Sequence, residues 1–88
     1  MTEKIVKVIN RAGVHARPSA LLVQTTKNFS SNIYMEKGSD RINAKSIMGI
    51  ITLGASYGTE IKIIAEGDDE ETAIETLVKL FESKFEEE

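Results

Sequence analysis

The chain has one histidine and one proline, His15 and Pro18, and both fall in the run Gly13-Val14-His15-Ala16-Arg17-Pro18. Imidazole is the side chain whose ordinary pKa leaves a ring lone pair available near neutral pH, so His15 is a candidate nucleophile. Arg17 adds a planar guanidinium that stays protonated and matches the spacing of phosphate oxygens. Pro18 lacks an amide hydrogen and holds φ near the helical value, which suits the first turn of a helix. The run therefore predicts a loop-to-helix junction at about His15, with Gly13 supplying the bend. First-turn amides have no intrahelical acceptors and the macrodipole adds positive charge there, so the junction can seat an anion. A nucleophile beside an anion seat is what a phosphoryl acceptor requires. A lone histidine at a helix start is also a common surface or capping residue, and composition alone leaves that second reading open.

Such a junction needs a scaffold, and the hydropathy pattern outlines one. Behind Pro18, Leu21, Leu22, Thr25 and Phe29 share a face at helical spacing, and the helix is expected from about Ala16 to Lys27. Residues 4–9 read as a strand whose core face is either Val6 and Val8 or Ile5 and Ile9. After a polar break at 28–32, in which Phe29 is placed to pack, residues 33–36 and 41–43 form a hairpin around Lys37-Gly38-Ser39-Asp40. Ser46 is placed to cap a short helix that has Ile47, Ile50 and Ile51 on its core face, Met48 off that face and Gly54 at its end. Past Gly58, Ile61, Ile63 and Ala65 alternate with Lys62, Ile64 and Glu66 as a fourth strand. Asp68 and Glu71 suggest a capping box for the longest helix, with Ile74, Leu77, Val78, Phe81 and Phe85 on its apolar face and acids outside. Glu86-Glu87-Glu88 reads as a solvated charge run, and Tyr34 and Tyr57 carry no functional signal. The order β-α-β-β-α-β-α predicts an α+β fold, a two-layer open-faced sandwich with three helices on one face of a four-stranded sheet.

Several function classes are excluded on composition. At 88 residues the chain makes one domain, 1–88, too small for a second lobe with an enclosed cleft, so a complete enzyme is not expected. A net charge of −3 without a basic cluster argues against nucleic acid. The absence of cysteine removes disulfides, thiol nucleophiles and zinc–thiolate sites, and one histidine cannot build a multi-histidine metal site. Neither a metal nor a cofactor is expected. Met1-Thr2-Glu3-Lys4 lacks the apolar core of a signal peptide, and no apolar run is long enough to span a bilayer, so a cytoplasmic chain without membrane insertion is expected.

The run around His15 resembles the active-site signature of the histidine-containing phosphocarrier (HPr) family of the bacterial phosphoenolpyruvate:sugar phosphotransferase system. The resemblance covers essentially the whole chain, through its length, Lys45-Ser46-Ile47-Met48-Gly49 in the middle and Ala65-Glu66-Gly67-Asp68 before the last helix. It implies an antiparallel sheet and a carrier in place of an enzyme. By resemblance, His15 is the phosphorylated residue, on Nδ1; Arg17 steadies the phosphoryl group; and the backbone amides of Ala16 and Arg17 contribute to holding it. Gly13 and Pro18 match shape-setting positions. Ala12 departs from a pattern in which a small polar residue is common, which puts a side-chain contact from that position in question; Arg11 is the neighbour that could compensate.

Ser46 resembles a regulatory serine phosphorylated by HPr kinase/phosphorylase, and it equally matches members that carry serine here only as a cap. The first and second helices correspond to a docking surface, with Ile47 and Met48 as partner contacts. Implied partners are enzyme I, sugar-specific permease components (IIA domains), HPr kinase/phosphorylase and a catabolite-control regulator, met in turn by a monomer. Two alternatives are a nitrogen-related regulatory phosphocarrier and a non-transferring interaction module acting through Ser46.

Overall fold

The computed structural model describes residues 1–86. In chain order it shows β1 (Thr2–Lys7), α1 (Ala16–Thr26), β2 (Asn32–Lys37), β3 (Asp40–Asn43), α2 (Ile47–Leu53), β4 (Glu60–Glu66), α3 (Glu70–Glu82) and a 3₁₀ turn, Lys84–Glu86. The strands form one antiparallel sheet in the order β1-β4-β2-β3. Alternation along the pleat sends Val6, Ile33, Met35, Ile61, Ile63 and Ala65 to one face, where all are buried. They meet Leu22 and Val23 of α1, Ile50 and Leu53 of α2, and Ala73, Ile74, Leu77 and Phe81 of α3. This is the α+β open-faced sandwich that the element order predicts. On the other face Ile64 is also buried, flanked in register by Glu3 and Tyr34.

Register settles the β1 alternatives. Val6 opposes Ile61 on the helix-covered face, so Val6 and Val8 join the core, while Ile5 and Ile9 remain 58% and 38% exposed. A slip of one residue would have reversed the whole set. The buried face of α1 is Pro18, Ser19, Leu22, Val23 and Thr26. Of the expected face only Leu22 is buried, and Leu21, Thr25 and Phe29 are half-buried. The helix is turned toward Thr26 because the Thr26 hydroxyl donates to the Ala44 carbonyl at 2.9 Å, a long-range bond that periodicity does not reveal.

The expected core face of α2 needs a similar correction. Ile50 and Leu53 are buried, whereas Ile47 and Ile51 are 43% and 44% exposed. A helix of seven residues offers the sheet one narrow stripe, and Ile50 with Leu53 fills it.

The Asp68–Glu71 capping box is absent; the N-cap position of α3 is Asp69, and its carboxylate serves another segment. It accepts from the Ser30 amide at 2.9 Å, the Ser31 amide at 3.0 Å and the Ser31 hydroxyl, tying the α1–β2 connection to the start of α3. Those bonds, the Ser31 hydroxyl first, hold the Asp69 carboxyl down at about 2. Glu70 does the same for the chain's beginning. It accepts from the Thr2 hydroxyl at 2.6 Å and the Gly67 amide at 3.0 Å and pairs with the N-terminal ammonium at 2.9 Å, and its carboxyl is also lowered to about 2.

Phe85 does not lie on the α3 face. The helix stops at Glu82, and Lys84, Phe85 and Glu86 take left-handed φ values of 56°, 56° and 63°. Such conformations cost on the order of 1 kcal/mol or more each without glycine. Burial of the Phe85 ring, edge-on to Phe81 at 4.8 Å between centroids, offsets this by about 2–3 kcal/mol. Of the expected acidic run, Glu86 is exposed on this turn, and Glu87 and Glu88 lie outside the described residues.

Candidate functional site

The segment between β1 and α1 is held by backbone bonds at both ends. Val8 donates to the Thr59 carbonyl at 2.9 Å and accepts from the Gly58 amide at 2.8 Å. Asn10, 3% exposed, donates from Nδ2 to the Gly13 carbonyl at 2.6 Å, while the Gly13 amide donates to the Asn10 carbonyl at 3.0 Å. This closes a compact turn. Val14 then donates to the Ala55 carbonyl at 2.8 Å and buries its side chain. Gly13 is required here on two grounds. Its φ is +75°, and a Cβ at this position would lie 2.9 Å from the Ala55 carbonyl oxygen and 3.1 Å from Ser56 Cα. The chain just past α2 thus fixes the approach to His15.

His15 is the N-cap residue of α1, with φ −101° and ψ −157°, and its side chain makes no capping bond. Its carbonyl opens the helix by accepting from the Ser19 amide at 2.9 Å, while the residue stays exposed. Ala16 and Arg17 are the first two helical residues and Pro18, buried, is the third. All three positions fall where an amide has no intrahelical acceptor, so proline there removes no helical bond. No acidic residue stands in this first turn. The first turn therefore presents the Ala16 and Arg17 amides and the positive end of the helix dipole next to His15.

Arg17 is positioned from the far end of the chain. Its Nη1 donates to the Phe85 carbonyl at 3.2 Å, a contact made possible by the left-handed turn at 84–86. Sequence reasoning missed this partner: Phe85 lies four residues past Phe81 and reads as helical, and no glycine marks the turn. Ala12 and Arg11 are both exposed on the loop.

The other expected site residues lie on α2. Ser46 is its N-cap; the hydroxyl accepts from the Gly49 amide at 3.0 Å. Ile47 and Met48, 43% and 69% exposed, form with Ile51 an apolar patch on the outside of the helix. The structure thus gathers His15, Ala16, Arg17 and Pro18 at one junction. Ser46 starts the helix whose other end supports that junction, separated from it by about 10 Å of helix. Among the described residues, no group of three or more His, Cys, Asp and Glu side chains could hold a metal ion, and no helix is long and apolar enough to cross a membrane.

The family described as PTS HPr component phosphorylation site matches residues 2–83. Over 88 residues the chain is 49% identical to phosphocarrier protein HPr of Treponema pallidum, covering all of both chains. It is 46% identical over 77 residues to the HPr-like protein Crh of Bacillus subtilis, covering 88% of this chain and 91% of that one. The solved structure of HPr-C-His from Thermoanaerobacter tengcongensis aligns with a TM-score of 0.97 at 57% identity, covering 100% of this chain and 99% of that one. With the sheet order, the histidine-headed helix and this full-length likeness in agreement, the chain belongs to the HPr phosphocarrier family of the phosphotransferase system.

Proposed function

We propose that this chain carries phosphoryl groups in the sugar phosphotransferase system, accepting them on His15 Nδ1 from phosphorylated enzyme I and passing them to sugar-specific permease components. One observation carries the reading: the exposed His15 stands at the N-cap of α1 with no side-chain capping bond, directly before the first-turn residues Ala16 and Arg17. In the accepting step the Nδ1 lone pair attacks phosphorus as the bond to the donor's nitrogen breaks, and that bond's electron pair returns to the donor ring. The phosphoryl oxygens then lie against the first-turn amides. The Arg17 guanidinium, oriented by the Phe85 carbonyl, then donates to the dianion in charge-assisted bonds. The junction is open, so alignment and exclusion of water come mostly from the partner protein, and the chain acts as a carrier without a cofactor. The cytoplasm is where such partners work.

Exposed Ile47 and Met48 fit the docking of these partners, the methionine thioether being adaptable to more than one surface. The likeness to Crh supports a regulatory reading of Ser46 alongside its cap role. Phosphate on Ser46, placed there by HPr kinase/phosphorylase, would add roughly −1.5 to −2 charges at the start of α2, within reach of the docking patch and of a catabolite-control regulator.

Incubation with enzyme I and labelled phosphoenolpyruvate tests the proposal. Wild type should take up acid-labile, base-stable phosphate, His15→Ala should take up none while melting as wild type does, and the label should move on to a sugar-specific component. Labelling of His15→Ala to the wild-type extent would refute the assignment. Labelling without onward transfer to any sugar component would favour the nitrogen-related carrier, and no labelling at all a module acting through Ser46.

A further inference from the structure

Asn10 is the one polar side chain of the β1–α1 connection that the interior takes in. It is 3% exposed, whereas Arg11, Ala12 and His15 after it are exposed. Burying a carboxamide costs free energy unless its groups are bonded, so a buried asparagine marks a specific bond. Here the side-chain Nδ2 donates to the Gly13 carbonyl at 2.6 Å. A carbonyl oxygen only accepts, so the atom facing it must be the nitrogen of the carboxamide. The Gly13 amide in turn donates to the Asn10 carbonyl at 3.0 Å. One residue thus engages both backbone polar groups of Gly13.

What these bonds control is a single peptide plane. The Gly13 carbonyl and the Val14 amide belong to the same planar unit. Asn10 holds its oxygen, and the Ala55 carbonyl holds its nitrogen at 2.8 Å. Glycine has the widest φ/ψ freedom of any residue, and Gly13, at φ +75°, is the swivel on the N-terminal side of His15. With the Gly13–Val14 unit held at both ends and the Val14 side chain buried, the chain arrives at the N-cap of α1 in one direction. Without the Asn10 bond the plane is free to turn about the bond to Ala55, and His15 turns with it. The Ala16 and Arg17 amides, set in the helix, do not follow. Only a donor serves at this place: an ionised aspartate has the same shape but would set oxygen against oxygen, and alanine would leave the Gly13 carbonyl without the bond.

We propose that Asn10 is a positioning residue for phosphoryl transfer: its side-chain amide locks the Gly13–Val14 peptide and thereby aims His15 relative to the first turn of α1. The proposal rests on the carrier reading and adds to it a buried residue that does not itself meet the phosphoryl group.

The test is the rate of labelling as a function of phosphorylated enzyme I concentration, below the melting temperature of every variant, with circular dichroism to show that each is folded. Asn10→Ala and Asn10→Asp should each lower the maximum rate about tenfold or more while the KM for enzyme I changes less than about twofold, because the α2 residues Ile47 and Met48 are untouched. Gly38→Ala, which loses stability in the β2–β3 turn, should keep the wild-type rate. In wild type the Asn10 side-chain amide should exchange with solvent at least about tenfold more slowly than those of the exposed Gln24 and Asn28, and its nitrogen resonance should move when His15 is phosphorylated. A wild-type maximum rate in either folded variant overturns the proposal, as does a slowing that Gly38→Ala shares. So does fast exchange of the Asn10 amide in wild type, a measurement that needs no variant to fold. A wild type that takes up no label refutes the carrier reading itself, and this assignment with it.

Discussion

Replacing Gly13 by alanine should destabilise the fold and slow phosphorylation together, because one position carries both a strained backbone and a close approach. A non-glycine residue at φ +75° costs about 1 kcal/mol. The added Cβ would also stand 2.9 Å from the Ala55 carbonyl oxygen, the atom that accepts from the Val14 amide at 2.8 Å. Backbone cannot rotate aside as a side chain does, so the two segments must separate and stretch that bond, costing about another 1–2 kcal/mol. The sum, about 2–3 kcal/mol, is a large share of the total stability of a domain this size, and corresponds to a drop of roughly 10–20 °C in Tm. Gly38→Ala is the control. Its φ is +60° with nothing within 4 Å of the added Cβ, so only the conformational part applies and a drop of about 4–8 °C is expected. Thermal melts of both variants and the rate of labelling by enzyme I are the assays. Equal melting losses at the two glycines, or a Gly13→Ala protein that labels at the wild-type rate, would refute the view that Ala55 fixes the approach to His15.

Arg17→Ala should slow transfer markedly, with loss of the bond to the Phe85 carbonyl removing about 1 kcal/mol, and Arg17→Lys should recover transfer only in part, as rapid-quench kinetics and melts would show. Ser46→Ala should lose about 1 kcal/mol of cap energy in urea titrations with little effect on labelling, whereas Ser46→Asp should slow labelling by enzyme I, ~1.4 kcal/mol of repulsion being tenfold, with the gap narrowing as salt rises. The Asp69 and Glu70 carboxyls sit at about 2 in the folded chain against ordinary values of 3.8 and 4.5, so their stabilisation is complete above pH 5 and is lost as pH falls toward 2; Asp69→Asn should flatten that part of the Tm–pH curve. The Ser19 hydroxyl is fully buried without a partner among the described residues, so Ser19→Ala should raise stability by about 1 kcal/mol in the same titrations.

What the sequence reveals follows from how local the deciding interactions are. The alternation in β4 and the helix start just before Pro18 are written in neighbouring residues, and they are legible. The face of α2 is not, because Ile47, Met48, Ile50, Ile51 and Leu53 leave a seven-residue helix apolar nearly all round, and only the sheet below selects Ile50 and Leu53. Which of two adjacent aspartates serves at the start of α3 is decided by Ser30 and Ser31, 39 and 38 residues away from Asp69. The turn of α1 toward Thr26 is decided by Ala44, 18 residues along. Phe85 is the hardest case, since its spacing from Phe81 is helical and its left-handed backbone is stabilised by the distant core that receives the ring.

That last residue explains how a small open site keeps a long, flexible arginine in place. Side-chain entropy disfavours holding Arg17 in one rotamer on the surface, by up to about 2 kcal/mol. The Phe85 carbonyl gives it a defined partner, and the ring anchors that carbonyl in the core next to Phe81. The guanidinium is thereby oriented from the core as well as from its own helix. A carbonyl set by the turn at 84–86 thus ties the direction of the Arg17 side chain to the packing of the Phe85 ring against Phe81.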